Sequence, residues 1–152
     1  MTLRLRNATQ HDLDGIYACA EKFAAYAGYE EQHGMPFDEA SFKKIVLQYI
    51  ENGICILAVD GDIVKGGVCG MVMPWGFNTS IKIALELFYW IDEDSRGTIA
   101  VRMLAEYEKR VAAAGAKSIM IQPETPLTEK VGKIYERRGY VPFERFWIKN
   151  DR

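Results

Sequence analysis

The sequence predicts a mixed α/β (α+β) fold, a mostly antiparallel sheet of about six strands flanked by four helices in the order β-α-α-β-β-β-α-β-α-β. Three observations predict it. Two runs with helical spacing follow a short alternating segment, three apolar period-two segments then succeed one another across short turns, and a helix-strand-helix-strand series closes the chain. Short turns join antiparallel neighbours and a strand-helix-strand crossover joins parallel ones, so the sheet is expected to be mixed, with helices covering its faces.

The first segment, "LRLRNAT", alternates apolar and basic residues like a half-buried strand, and Thr9 precedes Asp12 by three, the spacing of a capping box. The helix that follows carries Leu13, Ile16, Tyr17, Ala20, Phe23, Ala24 and Ala27 at helical spacing and stops at Gly28. "YEEQHGMPF", with Gly34 and Pro36, is expected to be a loop. Asp38 caps a second helix with an apolar face of Phe42, Ile45, Val46, Tyr49 and Ile50, ending at Asn52 and Gly53. "ICILAV", the turn Asp60-Gly61-Asp62 and "IVKGGVCGMVMPW" form a hairpin, and after "GFNTS" the run "IKIALELFYWI" is apolar enough on both faces to be a central strand.

The longest helix is "TIAVRMLAEYEKRVAAAG", with Ala100, Met103, Leu104, Tyr107 and Val111 on one face, ending at Gly115. "KSIMIQ" is the next strand. Thr125 and Pro126 mark another helix start, because proline is best tolerated at the first helical position. That helix turns Leu127, Val131, Ile134 and Tyr135 inward, has Arg137 and Arg138 where cations suit the dipole, and stops at Gly139. A closing strand, "VPFERFWIK", is expected at the end.

With 152 residues, 49% of them hydrophobic, the chain is expected to be one globular domain over residues 1–152. A net charge of -2 without basic clusters argues against nucleic acid or an anionic membrane as partner. Three cysteines without a C-x-x-C pair, each in an apolar stretch, are expected to be buried free thiols. The amino terminus lacks the apolar segment of a signal peptide and no run is long enough to span a bilayer, so a cytoplasmic location is expected. His11 and His33 stand in no metal-ligand spacing, and no G-x-S-x-G appears, which disfavours a zinc site and a serine hydrolase.

The element order, with "KIYERRGYVPFE" near the carboxyl end, resembles the GNAT superfamily of acyl-CoA-dependent N-acetyltransferases, whose "LYEKLGF" signature is likewise a helix ending in glycine before a strand. A second match lies at "RGTIAV". The family joins its central strand to the long helix by a turn of the form R-G-x-G-x-G or Q-x-x-G-x-G/A that holds the coenzyme A pyrophosphate. Here Arg96 and Gly97 are kept, while Ile99 and Val101 stand in place of the later glycines. The aromatics before this degenerate turn make the segment most similar to GNAT proteins of phage and prophage genomes.

The resemblance implies acetyl transfer from acetyl-CoA to a primary amine in a ternary complex, without a metal. It places the pyrophosphate on Arg96, Gly97, Thr98, Ile99, Ala100, Val101 and Arg102, the acetyl carbonyl around Phe88, Tyr89, Trp90 and Ile91, and a cofactor contact at Thr128. A helix start offers unpaired N–H groups and a positive dipole end to an anion whatever its side chains. Tyr135 takes the place of the family's general acid. Glu86, the one charged residue between Ile83 and Ile91, is the candidate general base or water-positioner, since burial raises a carboxylate's pKa toward the useful range. On the bland reading it is a glutamate on the more exposed face, or paired with a cation. Trp75, Phe77 and Trp90 are candidates to wall a groove, and Glu21, Glu30, Glu31 and Asp38 to attract a cationic acceptor, which a small molecule or a peptide equally supplies. A homodimer is compatible with the sequence. The alternative function is a catalytically inactive GNAT-fold module that binds acyl-CoA or a protein.

Overall fold

The computed structural model describes residues 2–122, 128–144 and 146–151. Strand β1 (Leu3–Asn7) leads through a 3-10 turn (Gln10–Asp12) into α1 (Leu13–Ala27), α2 (Tyr29–His33) and α3 (Glu39–Asn52). Strands β2 (Ile54–Asp60), β3 (Ile63–Trp75) and β4 (Asn78–Ile91) follow, then α4 (Thr98–Ala113), β5 (Ser118–Met120) and α5 (Thr128–Arg137). The sheet has five strands in the order β1-β2-β3-β4-β5, antiparallel throughout except for the parallel β4–β5 pair.

Local chemistry sets most boundaries. The capping box forms as its residues predict: the Thr9 amide donates to Asp12 Oδ2 at 2.8 Å, and Asp12 also receives the Arg6 guanidinium on both oxygens at 2.8 Å. Gly28, at φ 72°, ends α1 and starts α2, a step that any side chain would strain. The segment expected to be a loop thus contains a helix. With five residues and none buried, α2 has no apolar stripe for the sequence to reveal. Asp38 caps α3 by accepting the Ser41 amide at 2.8 Å.

One sheet face is covered by α4 and α5, where Ile56, Val68, Ala84, Ile91, Met103, Leu104, Tyr107 and Tyr135 form a core. The other is covered by α1 and α3 over Leu57, Val59, Cys69, Phe88 and Trp90. All three cysteines are free and buried.

Two expectations about strands are corrected. The alternation along β4 predicts Glu86 on one face with Ala84, Phe88 and Trp90. Instead the pairing jumps from Cys69↔Phe88 to Gly70↔Glu86, so Leu87 is an extra residue in a bulge. Ala84 and Ile91 belong to the core beneath α4 and Tyr89 packs against it, while Phe88 and Trp90 belong to the core beneath α1 and α3. The closing strand is the second. Among the described residues, 141–144 and 146–149 join no ladder, and Val141, Phe143, Phe146 and Trp147 are exposed, so the sheet has five strands where about six were expected. Pro142 has no N–H for a ladder, and the three residues of β5 present too short an edge to template one.

Candidate functional site

Strand β4 has fourteen residues, but β5 pairs with only three of them, Ile83, Ala84 and Leu85. Beyond Leu85, β4 runs on without β5, and the Leu87 bulge stands where the two strands part company. Bulges bend a strand and re-aim its groups, and this one begins one residue past Glu86. Glu86 is half-buried, and its Oε1 accepts the backbone N–H of Gln122 at 3.0 Å, so its carboxylate bridges β4 to the chain leaving β5.

The open stretch of β4 faces α4 and α5. Tyr89 donates its hydroxyl to the Ala100 carbonyl at 2.6 Å, tying the strand to the first turn of α4. Burial raises the Tyr89 phenol well above its usual pKa, so it remains a donor. The Tyr135 ring lies 6.3 Å from that of Tyr89 and 5.4 Å from that of Tyr140, and Tyr135 is only 6% exposed. Its helix is held by Arg138, which grips the Glu108 carboxylate of α4 with Nη2 at 2.6 Å, and by the Tyr140 hydroxyl on the same carboxylate at 3.0 Å.

The turn before α4 is bare. Gly97, at φ 154°, is the N-cap, no side chain caps the helix, and its first turn contains no acid. A Cβ placed at Gly97 would meet nothing within 4 Å, so the approach to the first amides is open. Ile99 is 5% exposed and belongs to the core with Ile91, Met103 and Tyr135, whereas Val101 is 37% exposed. No residue other than glycine has positive φ among those described, so neither branched side chain strains the turn. Arg96 is exposed; its Nε donates to the Ile91 carbonyl at 3.1 Å and its guanidinium lies 4.8 Å from the Trp90 ring centroid. Arg102 is exposed on the first turn. Thr128 opens α5, but its side chain lies outside the described residues, as do Thr125 and Pro126.

On the opposite face the sequence-nominated groups separate. Trp75 and Phe77 pair at 5.5 Å at the β3–β4 turn, whereas Trp90 stands at the other end of β4 against Phe23 of α1. Asp38 is taken up as a helix cap, while Glu21, Glu30 and Glu31 line an open hollow beside α1 and α2. Asp92 was not singled out by the sequence, yet it is buried and organises the end of β4. It accepts from Lys22 at 2.7 Å and from the Trp90 indole at 3.1 Å, and its amide donates to the Lys65 carbonyl. Among the described residues, no group of three or more His, Cys, Asp or Glu is placed to hold a metal, and no helix is long and apolar enough to cross a membrane.

The fold recurs among solved structures. A predicted acetyltransferase of Clostridium acetobutylicum, crystallised with acetyl-CoA, superposes with a TM-score of 0.78 at 13% identity, covering 98% of this chain and 96% of that one. The GCN5-related N-acetyltransferase of Ralstonia eutropha superposes with a TM-score of 0.73 at 17% identity, covering 97% and 98%. The chain has the fold of a GCN5-related N-acetyltransferase. A ribosomal-protein-alanine N-acetyltransferase of Brucella melitensis shares it, with a TM-score of 0.73 at 13% identity over 99% and 100% of the two chains. No family model and no curated protein matches the sequence. Within this architecture, Tyr89 of β4 bonds the first turn of α4 and packs against Tyr135 of α5.

Proposed function

We propose that the protein is an acyl-CoA-dependent N-acetyltransferase that moves acetyl from acetyl-CoA to a primary amine by direct attack in a ternary complex. One observation carries the reading: the open edge of β4 adjoins both an anion-ready helix start and a buried tyrosine. Acetyl-CoA supplies the activated thioester, and the chain's residues bind, orient and move protons.

The first amides of α4, with no side-chain cap and no acid in the helix's first turn, suit a pyrophosphate, with Arg102 adding charge on the same turn. Burial of Ile99 supports this, because the side chain that replaces a glycine is turned away from the anion. The same burial weakens the inactive-module reading, which rested on the lost glycines. Backbone N–H groups of β4 beyond its last pairing with β5 would receive the acetyl oxygen. The amine nitrogen then attacks the carbonyl carbon, the C–N bond forms and the C–S bond breaks. Glu86 accepts the proton leaving the amine, directly or through a water, and Tyr135 returns a proton to the departing thiolate.

Titration with acetyl-CoA while following thermal unfolding tests the reading. A ligand at a hundred times its Kd adds about 2.7 kcal/mol of stability. Stabilisation followed by thiol release with an amine supports the transferase; no shift at millimolar acetyl-CoA overturns it.

A further inference from the structure

Behind β4, on the face away from α4, lies a cavity of about 210 Å³ between α1, the α2–α3 segment and the sheet. Its walls include Phe23, Tyr29, Phe37, Phe42, Phe88 and Trp90, with Leu87 of the bulge among its other lining residues. The rings pack against one another: Phe37 and Phe42 at 4.9 Å, Phe23 and Trp90 at 6.0 Å, Phe42 and Phe88 at 6.2 Å. No charged residue lines it. Two of its polar groups are engaged elsewhere, since the Cys19 thiol donates to the Val64 carbonyl at 3.3 Å and the Trp90 indole donates to Asp92. Such ring-walled, uncharged surroundings offer a hydroxylated occupant few replacement hydrogen bonds, which disfavours a sugar-like body.

The open hollow beside α1 and α2 adjoins this cavity, because Ala24, Tyr29 and Phe37 line both. Glu21, Glu30 and Glu31 line it and no Lys or Arg does, so its potential is that of an attractor for cations. Carboxylates thus stand outside and rings inside, with Leu87 and Phe88 at the inner wall on the strand where the acetyl group is proposed to lie.

We infer that the acceptor is a small monoamine on an apolar, ring-containing or short alkyl body, an arylalkylamine-type substrate rather than a polyhydroxylated polycation or a peptide. The inference rests on the transferase reading above and narrows it. Size agrees: an apolar cavity of about 150 Å³ accommodates benzene, so the volume here admits one ring and a short chain. The carboxylates draw in the ammonium form, and the apolar surroundings favour the neutral amine that attack requires.

The test compares kcat/KM for 2-phenylethylamine, hexylamine, ethylamine, spermidine, sisomicin and an alanyl peptide, with acetyl-CoA-induced stabilisation measured in parallel. Phenylethylamine and hexylamine are expected to exceed ethylamine at least about 100-fold, since single methylenes in apolar pockets are worth 10- to 200-fold. Ala20→Leu and Ala24→Leu, which shrink the cavity from α1, are expected to lower the phenylethylamine-to-ethylamine ratio at least tenfold. Quenching of tryptophan fluorescence by phenylethylamine without acetyl-CoA reads occupancy independently of turnover, because Trp90 lines the site. Acetyl-CoA binding with spermidine, sisomicin or the peptide as best acceptor, or a ratio untouched by both cavity variants, overturns this inference and leaves N-acetyl transfer standing. Absence of acetyl-CoA stabilisation together with phenylethylamine quenching instead overturns the transferase and keeps the amine site.

Discussion

The Glu86 carboxylate accepts the Gln122 amide at 3.0 Å just past the last β4–β5 ladder pair, Leu85↔Met120. A side chain therefore takes over the tie between the strands where the backbone ladder ends. Glu86→Gln keeps an acceptor oxygen but removes the charge, so the fold is expected to persist while kcat falls about 100-fold, the lower range of general-base effects. Glu86→Ala removes the acceptor as well and is expected to lower the Tm in addition. Unchanged kcat in the glutamine variant, measured by thiol release, would make Glu86 a structural clasp only.

Tyr135→Phe leaves the ring contacts with Tyr89 and Tyr140 in place and deletes the proposed acid. The kcat is expected to fall about 100-fold or more, with acetyl-CoA affinity changed by less than about threefold. Isothermal titration beside steady-state kinetics separates the two quantities. Equal losses in both would place the hydroxyl in binding instead.

Thr98 is the first residue of α4, a position where proline fits helical geometry but lacks the N–H. Thr98→Pro is therefore expected to weaken coenzyme A about tenfold while the Tm stays within a few degrees, a loss on the scale of one charge-assisted hydrogen bond. Ile99→Gly, which puts glycine where the resembling turn pattern has one, is expected to cost about 3–5 kcal/mol by emptying a core position and loosening the helix. Denaturant melts check both. A stabilised Ile99→Gly would show that the side chain is not holding the turn.

The Tyr107 hydroxyl occupies the place that a Cβ on Gly70 would take, and it is fully buried with no hydrogen-bond partner among the described residues. Burial raises its pKa well above that of a free phenol. Tyr107→Phe removes an unsatisfied polar atom and is expected to be neutral or to stabilise by about 1 kcal/mol. Gly70→Ala is expected to cost about 2 kcal/mol or more, and Tyr107→Phe to recover part of it. Additive effects in this double-mutant cycle would deny the contact.

Asp12 is held below the usual carboxylate range by the Arg6 guanidinium, aided by Thr9, against the opposing effect of its burial. A depressed folded pKa contributes stability that is complete above the unfolded value, near ~3.9, and is lost as pH falls through the folded value. The wild-type protein is expected to lose stability more steeply below about pH 4 than Asp12→Asn, and at pH 7 the variant is expected to be about 2 kcal/mol less stable. Chemical unfolding between pH 3 and 7 decides it; parallel curves would remove Asp12 as the source.

Much of this fold was legible because its signals are local: Thr9 with Asp12, Asp38 with Ser41, the turn at Gly61 and the stops at Gly28, Gly115 and Gly139 each act within a few residues. Features that depend on distant partners were hidden. The Leu87 bulge inverts the faces of everything after it, and nothing in "ELFYW" marks it, because its cause is the pairing with Cys69 and Gly70. Likewise α2 buries nothing, and the strand expected over 141–149 is rich in aromatic and branched residues but has only a three-residue edge to meet. In the site, Glu86 and Tyr135 were nominated from the chain, while the Tyr89–Ala100 tie and the ring-lined cavity arise from elements tens of residues apart.

Fastening the first turn of α4 through Ile99 changes what a ligand encounters there. A glycine-rich loop gives up about 1–2 kcal/mol per residue of backbone freedom when it closes over a phosphate. Here that ordering is completed when the core forms, before any anion arrives. On the proposed function, an anion would be selected by fit to a fixed array of amides rather than by a turn that adapts to it.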